Sequence, residues 1–268
     1  MPPPPATPSP LDEATRWYNS LPPVTRFLIT GTVLFSLAAG LGLCRPGQLV
    51  FDGGFIVKRY QIWRLVTSFF WQPLGLNFLM QVYFLYRHSL ELEQGLFVGR
   101  AGDYVFFMVF AFSIINVAAY VLDLVVLSEP LLLCVIYVWA MHHGEEMVSF
   151  LFGVRFKAMY LPWVLTLLDV LQGNPYPVAK LTGIAVGYLY YYLDQTYPLQ
   201  NGGQRILVTP RILQEQFPSA AAAGGVGGAP VGGGHRVVPG AGAGPARTAG
   251  EGVTRRHVWG SGQRLGTD

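Results

Sequence analysis

Residues 180–198 read KLTGIAVGYLYYYLDQTYP and form the last long apolar segment of the chain, around which the fold can be interpreted. Gly183 and Gly187 stand four residues apart in it, a spacing that places both on one helix face. Two such glycines let a second helix backbone approach closely inside a membrane. Tyrosines crowd the far end, as aromatic side chains do at a membrane–water boundary. The segment predicts the central packing helix of a membrane bundle, although glycines four apart also arise by chance.

The composition of the chain points the same way. Of the 268 residues, 51% are hydrophobic and only 12% are charged. Soluble domains carry about a quarter charged residues, so this balance indicates a protein with several membrane spans. The two cysteines, Cys44 and Cys134, supply neither a disulfide framework nor a metal pair, and two buried thiols are expected. The N-terminus is proline-rich rather than basic, so the first apolar run should be an uncleaved anchor.

Residues 1–23 predict a leader and one short helix. After the proline-rich residues 1–8, Ser9-Pro10-Leu11-Asp12 has the features of a helix start: a serine cap, proline at the first helical position and an acid at the third. The helix should end near Ser20, because two prolines follow. Its apolar face predicts that the helix lies in the membrane interface or docks on the protein's own surface.

Residues 24–197 predict an all-α membrane domain. Its spans are expected at 27–43, 63–86, 104–122, 131–141, 158–171 and in the 180–198 segment. The fourth and fifth are short, the longer covering about 21 Å of roughly 30 Å of hydrocarbon. They either re-enter without crossing or cross where the protein thins the membrane. The domain then has four or six spans, and both termini lie on the same side.

Basic residues predict that this side is the cytoplasm. Arginine and lysine occur in the N-terminal region, in the two even-numbered connections and in the tail, whereas the third and fifth connections hold none. The first connection, residues 44–62, is the exception. Its basic residues stand among large apolar ones, so it is expected to rest in the outer leaflet. Residues 87–103 are predicted to form a polar connection.

Several polar side chains are predicted at membrane depth, where such groups normally face the bundle interior or a wet cavity. They are Gln72, Asn77, Gln81 and Asn116. Asp169 and Asp194 also lie in apolar surroundings, where an acid by default suggests a proton or ion relay. Both stand near segment ends within reach of water, so interfacial positions are expected, and a transporter or channel is kept as an alternative.

The sequence lacks the arrangement of an intramembrane serine protease, which needs a serine within hydrogen-bond reach of a histidine. His235 and His257 lie in the tail, His88 is predicted in a connection, and the Gly183–Gly187 helix contains no histidine. The segment 142–146, HHGEE, lacks metal-ligand spacing and is interpreted as a solvated helix end. No metal site and no cofactor is predicted.

The C-terminal part changes composition. Residues 198–218 are predicted as a juxtamembrane cytosolic segment, and residues 219–268 as a disordered tail rich in glycine and alanine. The tail contains WGSGQRLG at 259–266, a tryptophan and a leucine among glycines and arginines. This is the form of a short linear motif that orders on binding, and an accidental tryptophan is the alternative.

Five motifs, which follow one another along the chain, resemble motifs of the Derlin family. Derlins are proteolytically inactive relatives of the rhomboid proteases. The motifs are WYNSLPPVTR at 17–26, QIWRLVTSFF at 61–70, LEQGLFVGR at 92–100, FGVRFKAMYLPW at 152–163 and the segment 198–210, within a similarity over residues 11–218. Trp63 and Arg64 match the family's Trp-Arg pair of the first luminal loop. Gly183 and Gly187 match its GxxxG helix.

The terminal motif resembles the SHP box with which some Derlins bind valosin-containing protein, a hexameric AAA+ unfoldase. The matching residues are Trp259, Gly260, Gly262, Arg264, Leu265 and Gly266, with tryptophan where many SHP boxes have phenylalanine. The resemblance therefore implies that this tail recruits the unfoldase.

The resemblance as a whole implies a rhomboid-like bundle of six transmembrane helices in the endoplasmic reticulum (ER), without protease activity and with both termini cytosolic. Its implied role is in ER-associated degradation, where it helps misfolded clients cross to the cytosol. The implied partners are the AAA+ ATPase, an ER ubiquitin ligase complex, misfolded clients, membrane lipids and further copies of itself, but no nucleic acid. The short segments would thin the bilayer, and the four polar residues would pair with a client's backbone. A transporter or channel, and an active intramembrane protease, are the alternatives.

Overall fold

A computed structural model describes residues 9–149, 153–173 and 177–200, together with Gly202, Leu207, Thr209, Pro210 and Leu213. The leader 1–8 and the predicted motif at 259–266 lie outside these residues. The described chain is predominantly helical. Its elements are α1 Pro10–Ser20, α2 Pro23–Gly40, α3 Pro46–Leu49, α4 Gly53–Arg59, α5 Arg64–Thr67, α6 Leu76–Glu91, α7 Ala101–Leu122, α8 Ser128–His142, β1 Met147–Ser149, β2 Arg155–Lys157, α9 Leu161–Leu171, α10 Val178–Tyr191 and α11 Tyr197–Gln200.

Helix α1 begins and ends where the sequence predicts. The Ser9 side chain accepts from the Asp12 backbone N–H, and the Asp12 carboxylate accepts from the Ser9 backbone N–H. Both groups of this capping box are thereby satisfied. The helix docks on the protein through its last turn, where the Tyr18 hydroxyl lies 2.8 Å from that of Thr30. Leu11 at the other end is exposed, and its position in a membrane interface stays a prediction.

The predicted second span, residues 63–86, is wrong as a single helix. It contains the short helix α5 and then an irregular stretch before α6, which begins at Leu76 and continues to Glu91. Pro73 and Gly75 lie in the irregular stretch, and each disfavours a regular helix there. The polar connection predicted at 87–103 is correspondingly shorter, because α6 is followed by a π-helical turn, Leu92–Leu96.

Side chains from other helices satisfy the irregular backbone between α5 and α6. The Ser36 hydroxyl on α2 accepts from the backbone N–H of Gln72 at 3.1 Å and donates to the carbonyl of Phe70 at 3.4 Å. The Ser128 hydroxyl of α8 donates to the carbonyl of Trp71 at 3.1 Å. Within a membrane, irregular backbone is tolerated where it is buried in protein in this way or where it lines a water-filled cavity.

The two short predicted segments have different environments. Helix α8 is buried along almost its whole length, from Pro130 to Ala140, and packs against α6, α7, α9 and α10. A helix that is apolar all round belongs in such a position. Helix α9 instead exposes Trp163, Leu167 and Leu171 on its outer face. Of the two, α9 presents the apolar outer surface.

The expectation of an all-α fold is wrong in one detail. Strands β1 and β2 form a short antiparallel pair in which Val148 is opposite Phe156. The pair lies between α8 and α9, and the Lys157 ammonium is 2.8 Å from a carboxylate oxygen of Glu145. This hydrogen bond raises the pKa of Lys157 above its ordinary value.

Among the described residues, α2 and α7 are long and apolar enough to cross a membrane. Helix α8 and the segment Ala158–Leu171, which includes a 3-10 turn before α9, are apolar but shorter. The number of spans stays a prediction.

Candidate functional site

Gly183 and Gly187 of α10 lie directly against α8. A Cβ atom added at Gly183 would stand 2.9 Å from the Cβ of Leu133, and one added at Gly187 would stand 2.8 Å from the Cβ of Tyr137. Both separations are shorter than two carbon atoms in contact allow. The close helix approach predicted from their spacing is therefore present, and its partner is the buried helix α8.

Arg64 is buried and holds the first connection together. Its Nη1 donates to the backbone carbonyls of Gly47 and Val50, each at 2.7 Å, and its Nε donates to Gln61 at 2.7 Å. The guanidinium also lies 5.2 Å from the ring centre of Phe55. The planar, forked side chain of arginine suits such a set of acceptors. Arg64 thus ties α3, α4 and α5 into one unit.

Trp63, the other member of the pair, points away from this unit. Its side chain is 52% exposed, although it directly precedes the buried Arg64. An exposed tryptophan beside a fixed loop is suited to contact lipid or another polypeptide. The structure therefore separates the pair into one residue that fixes the loop and one that faces outward.

The four polar residues predicted at membrane depth do not line one common recess. Gln72 and Gln81 are buried and Asn77 is exposed, and none of these three shares a recess with Asn116. Asn116 lines an apolar recess of about 270 Å³ with Tyr120, and donates to the Leu65 carbonyl at 3.1 Å.

Two of these side chains keep an unused acceptor. Oε1 of Gln72 and Oδ1 of Asn116 are buried, and neither has a hydrogen-bond partner among the described residues. Buried carbonyl oxygens are normally paired, so these two oxygens are exceptions among the described residues.

Glu93 has a central role that sequence reasoning missed. Its carboxylate accepts from the backbone N–H groups of Val24 and Thr25, at 3.0 and 2.7 Å, and from the Thr25 hydroxyl at 2.8 Å. The hydroxyl groups of Ser89 and Tyr104 continue the network. Helix α2 begins after Pro22, whose side chain cannot cap the helix. The first N–H groups of a helix need acceptors, so a helix start without a local capping residue indicates that a distant side chain supplies the cap.

The prediction that His88 lies in a connection is wrong, because His88 belongs to the last turn of α6. Its ring is 2% exposed and sits 4.3 Å from the ring centre of Trp139. Neither ring nitrogen has a hydrogen-bond partner in the described part of the chain. His88 forms part of the lining of a groove of about 520 Å³ between α6, β1 and α9.

His142 and His143 interact with backbone carbonyls in the last turns of their own helix, α8. Nδ1 of His142 lies 2.8 Å from the Val138 carbonyl, and Nδ1 of His143 lies 3.0 Å from the Trp139 carbonyl. Both rings are half-buried, so the expected solvated helix end is only partly solvated. Over the described ranges, no hydrogen bond joins a serine to a histidine and no group of metal-ligating side chains is found.

The acidic residues that suggested transport have protein partners. Asp169 of α9 forms an ion pair with Lys180 of α10 at 2.9 Å, and both side chains are largely buried. Asp194 accepts from the side-chain amide of Gln195 at 2.7 Å. The Asp169 carboxylate is thus balanced by a cation, whereas Gln195 is neutral and its hydrogen bond does not balance the charge of Asp194. Of the cysteines, Cys134 is buried as expected and Cys44 is half-buried, and both are free thiols.

Comparison with known proteins identifies the family. The model of the Der1-like family matches residues 21–211. This chain belongs to the Der1-like family. Human Derlin-1 is 38% identical over 255 residues, covering 93% of this chain and 97% of Derlin-1. Derlin-1 of Drosophila melanogaster is 33% identical over 220 residues, covering 81% and 88%, and a probable derlin-2 homolog of Dictyostelium discoideum is 36% identical over 206 residues, covering 74% and 80%.

The Der1-like match covers the residues that fix the loop, the helix start and the close helix contact. It includes Arg64 with its loop, Glu93 with its network, and the α10 glycines. Together with the apolar helices α2 and α7, it indicates a membrane protein. The motif at 259–266 lies beyond the Der1-like match and outside the described residues.

Proposed function

We propose that this chain is a non-catalytic component of ER-associated degradation that assists the passage of misfolded proteins from the ER to the cytosol. Membership in the Der1-like family supports this setting. The observation that carries the mechanism is the length of the outward-facing helix α9, which has 11 residues. With the 3-10 turn before it, α9 covers about 22 Å, against roughly 30 Å of hydrocarbon.

A short apolar helix at the lipid surface is accommodated by local thinning of the bilayer. Helix α8 does not contribute, because protein encloses it. Thinning shortens the path that a client's polar backbone takes through hydrocarbon, where each unpaired group is costly. Gln72, Gln81, Asn77 and Asn116 are proposed to pair with such groups, and the unused acceptors of Gln72 and Asn116 support this for those two.

The proposed topology is six spans in the ER membrane with both termini in the cytosol. The distribution of basic residues supports this orientation. The Glu93 network and the β1–β2 pair then face the cytosol, and the loop fixed by Arg64 faces the lumen. Further copies of the chain and an ER ubiquitin ligase complex are the proposed assembly partners.

The force for passage is proposed to come from a partner. Residues 259–266 would hold the valosin-containing AAA+ ATPase, with Trp259 and Leu265 as apolar anchors and Arg264 as the charged contact. The chain itself is proposed to be a pseudoprotease. The lack of a histidine in the Gly183–Gly187 helix supports this proposal.

Co-purification from detergent tests the role of the tail. Deletion of residues 259–268 should abolish recovery of the AAA+ hexamer while membrane insertion is unchanged, because the anchors are lost and the bundle is intact. The matched point variants are Trp259→Ala, inside the motif, and Val253→Ala, outside it. Full recovery of the hexamer with the truncated chain would refute the assignment.

A further inference from the structure

The groove that contains His88 has two chemically different ends. Its volume is about 520 Å³, and the apolar wall is formed by one face of α6, including Leu76, Leu79 and Met80. The other end is formed by Arg87, His88 and Ser149. Along α6 the distance from Leu76 to Arg87 is about 16 Å, close to the depth of one leaflet of hydrocarbon. The groove therefore matches an elongated ligand that is apolar along its length and polar at one end.

His88 gives the independent indication that a ligand binds there. A neutral imidazole carries one donor and one acceptor, and both are without a partner among the described residues. The Phe84 ring is parallel to the His88 ring, with ring centres 6.1 Å apart, and the Trp139 ring of α8 lies 4.3 Å away. A buried polar group without a protein partner is normally satisfied by water or by a bound molecule.

The charged and polar groups at this end of the groove indicate which lipid headgroup would fit there. Arg87 is half exposed, with its Nε 3.3 Å from Glu91 and its Nη1 3.4 Å from the Tyr83 hydroxyl. The arginine, the His88 ring and the exposed Ser149 hydroxyl provide donors for a phosphodiester. Glu91, one turn further along α6 and already paired with Arg87, adds a carboxylate beside these donors, to which a primary ammonium can donate hydrogen bonds and a quaternary choline cannot. A phosphate next to an ammonium is the headgroup of a zwitterionic phospholipid.

We propose that this groove binds one phosphatidylethanolamine molecule, with an acyl chain along α6, the phosphodiester at Arg87, His88 and Ser149, and the ammonium at Glu91. The volume favours a lipid over a client helix. It lies in the range of small-molecule sites, whereas a transmembrane helix of about 20 residues needs a groove some 30 Å long.

Photolabelling of the full chain in phosphatidylcholine nanodiscs tests the site. The probe is phosphatidylethanolamine with a diazirine on one acyl chain, and the labelled peptides are identified by mass spectrometry. Label should concentrate on residues 76–87. Leu79→Trp, at a position 63% exposed, fills the groove and should reduce this label to the level found on α7, whereas Val109→Trp on the outer face of α7 should leave it unchanged.

The polar end is tested with the same probe. His88→Leu should weaken labelling by about ten-fold, the change expected for one hydrogen bond to a charged group, and His88→Gln should retain most of it. Glu91→Gln should remove the preference for phosphatidylethanolamine over a phosphatidylglycerol probe. Equal label on α6 and α7, or no effect of Leu79→Trp, would overturn the proposal in favour of nonspecific surrounding lipid. Labelling of the groove by a diazirine-bearing transmembrane peptide but not by the lipid would overturn it in favour of a client.

Discussion

The carboxylate of Glu93 joins two parts of the chain that are far apart in sequence. It closes the start of α2, whose first N–H groups have no local cap. Burial of a carboxylate is costly unless it is fully hydrogen-bonded, and here three donors and the positive end of a helix compensate it. The packing of the start of α2 against the end of α6 therefore depends on the Glu93 carboxylate.

Glu93→Gln should lower the free energy of unfolding by about 1–3 kcal/mol, because an amide has one acceptor oxygen and must turn its NH₂ group toward the backbone N–H of either Val24 or Thr25, which then loses its acceptor. Thermal unfolding of the purified chain in detergent measures this change. Glu145→Gln is the matched control, since it removes only an exposed pair with Lys157 and should change the melting temperature far less. Equal melting temperatures for both variants would show that Glu93 has no capping role.

Gly187→Ala should also destabilise the bundle, by about 1–3 kcal/mol, because the new methyl group overlaps Tyr137. The same thermal measurement applies. Gly95→Ala is the control, because an added Cβ atom there has nothing within 4 Å. Unchanged stability of Gly187→Ala would mean that α8 and α10 are free to separate.

At the scale of elements, the first connection is attached to the bundle rather than free. The backbone N–H of Phe51 donates to the Val125 carbonyl at 2.9 Å, and that of Leu127 donates to the Ser68 carbonyl at 3.1 Å. The Asn116 amide adds a bond from α7 to α5. Together with Arg64, these bonds fix α3, α4 and α5 at one end of the molecule.

Arg64→Lys should loosen this unit, because an ammonium on a flexible stem cannot reproduce the forked geometry that reaches Gly47, Val50 and Gln61. Amide hydrogen exchange should rise over residues 46–67 and stay unchanged in α7. Lys58→Ala, at an exposed position of the same connection, is the control. Exchange that is equal in the two variants would contradict the role of Arg64.

Trp63→Ala should slow the clearance of a misfolded luminal client without changing recovery of the AAA+ ATPase, because the exposed ring belongs to the loop that is proposed to face the lumen, whereas the tail is proposed to lie in the cytosol. A pulse-chase assay of the client and a pull-down of the ATPase measure the two effects separately. If the client is cleared at the parental rate, Trp63 is not a client contact.

Local signals in the sequence predicted some elements well. The capping box at Ser9 and the close approach at Gly183 and Gly187 depend on residues a few positions apart, so they are visible in the sequence. The second span was predicted wrongly because apolar composition outweighed the breaker residues Pro73 and Gly75.

At the scale of the whole molecule, burial separates helices that look alike in sequence. Helices α8 and α9 are both short and apolar, yet protein surrounds α8 and only α9 presents a broad outer face. Composition alone does not distinguish a core helix from a lipid-facing one. The Glu93 network and the burial of the His88 ring against Trp139 depend in the same way on contacts between distant segments, so the sequence pattern did not reveal them.

The proposed mechanism depends on thin lipid beside α9, and electron cryomicroscopy of the chain in phosphatidylcholine nanodiscs measures that thickness directly. We predict a hydrocarbon layer of about 22 Å beside α9 and about 30 Å beside α7, as the lengths of the two helices require. A layer of uniform thickness, about 30 Å around the whole molecule, would contradict the account.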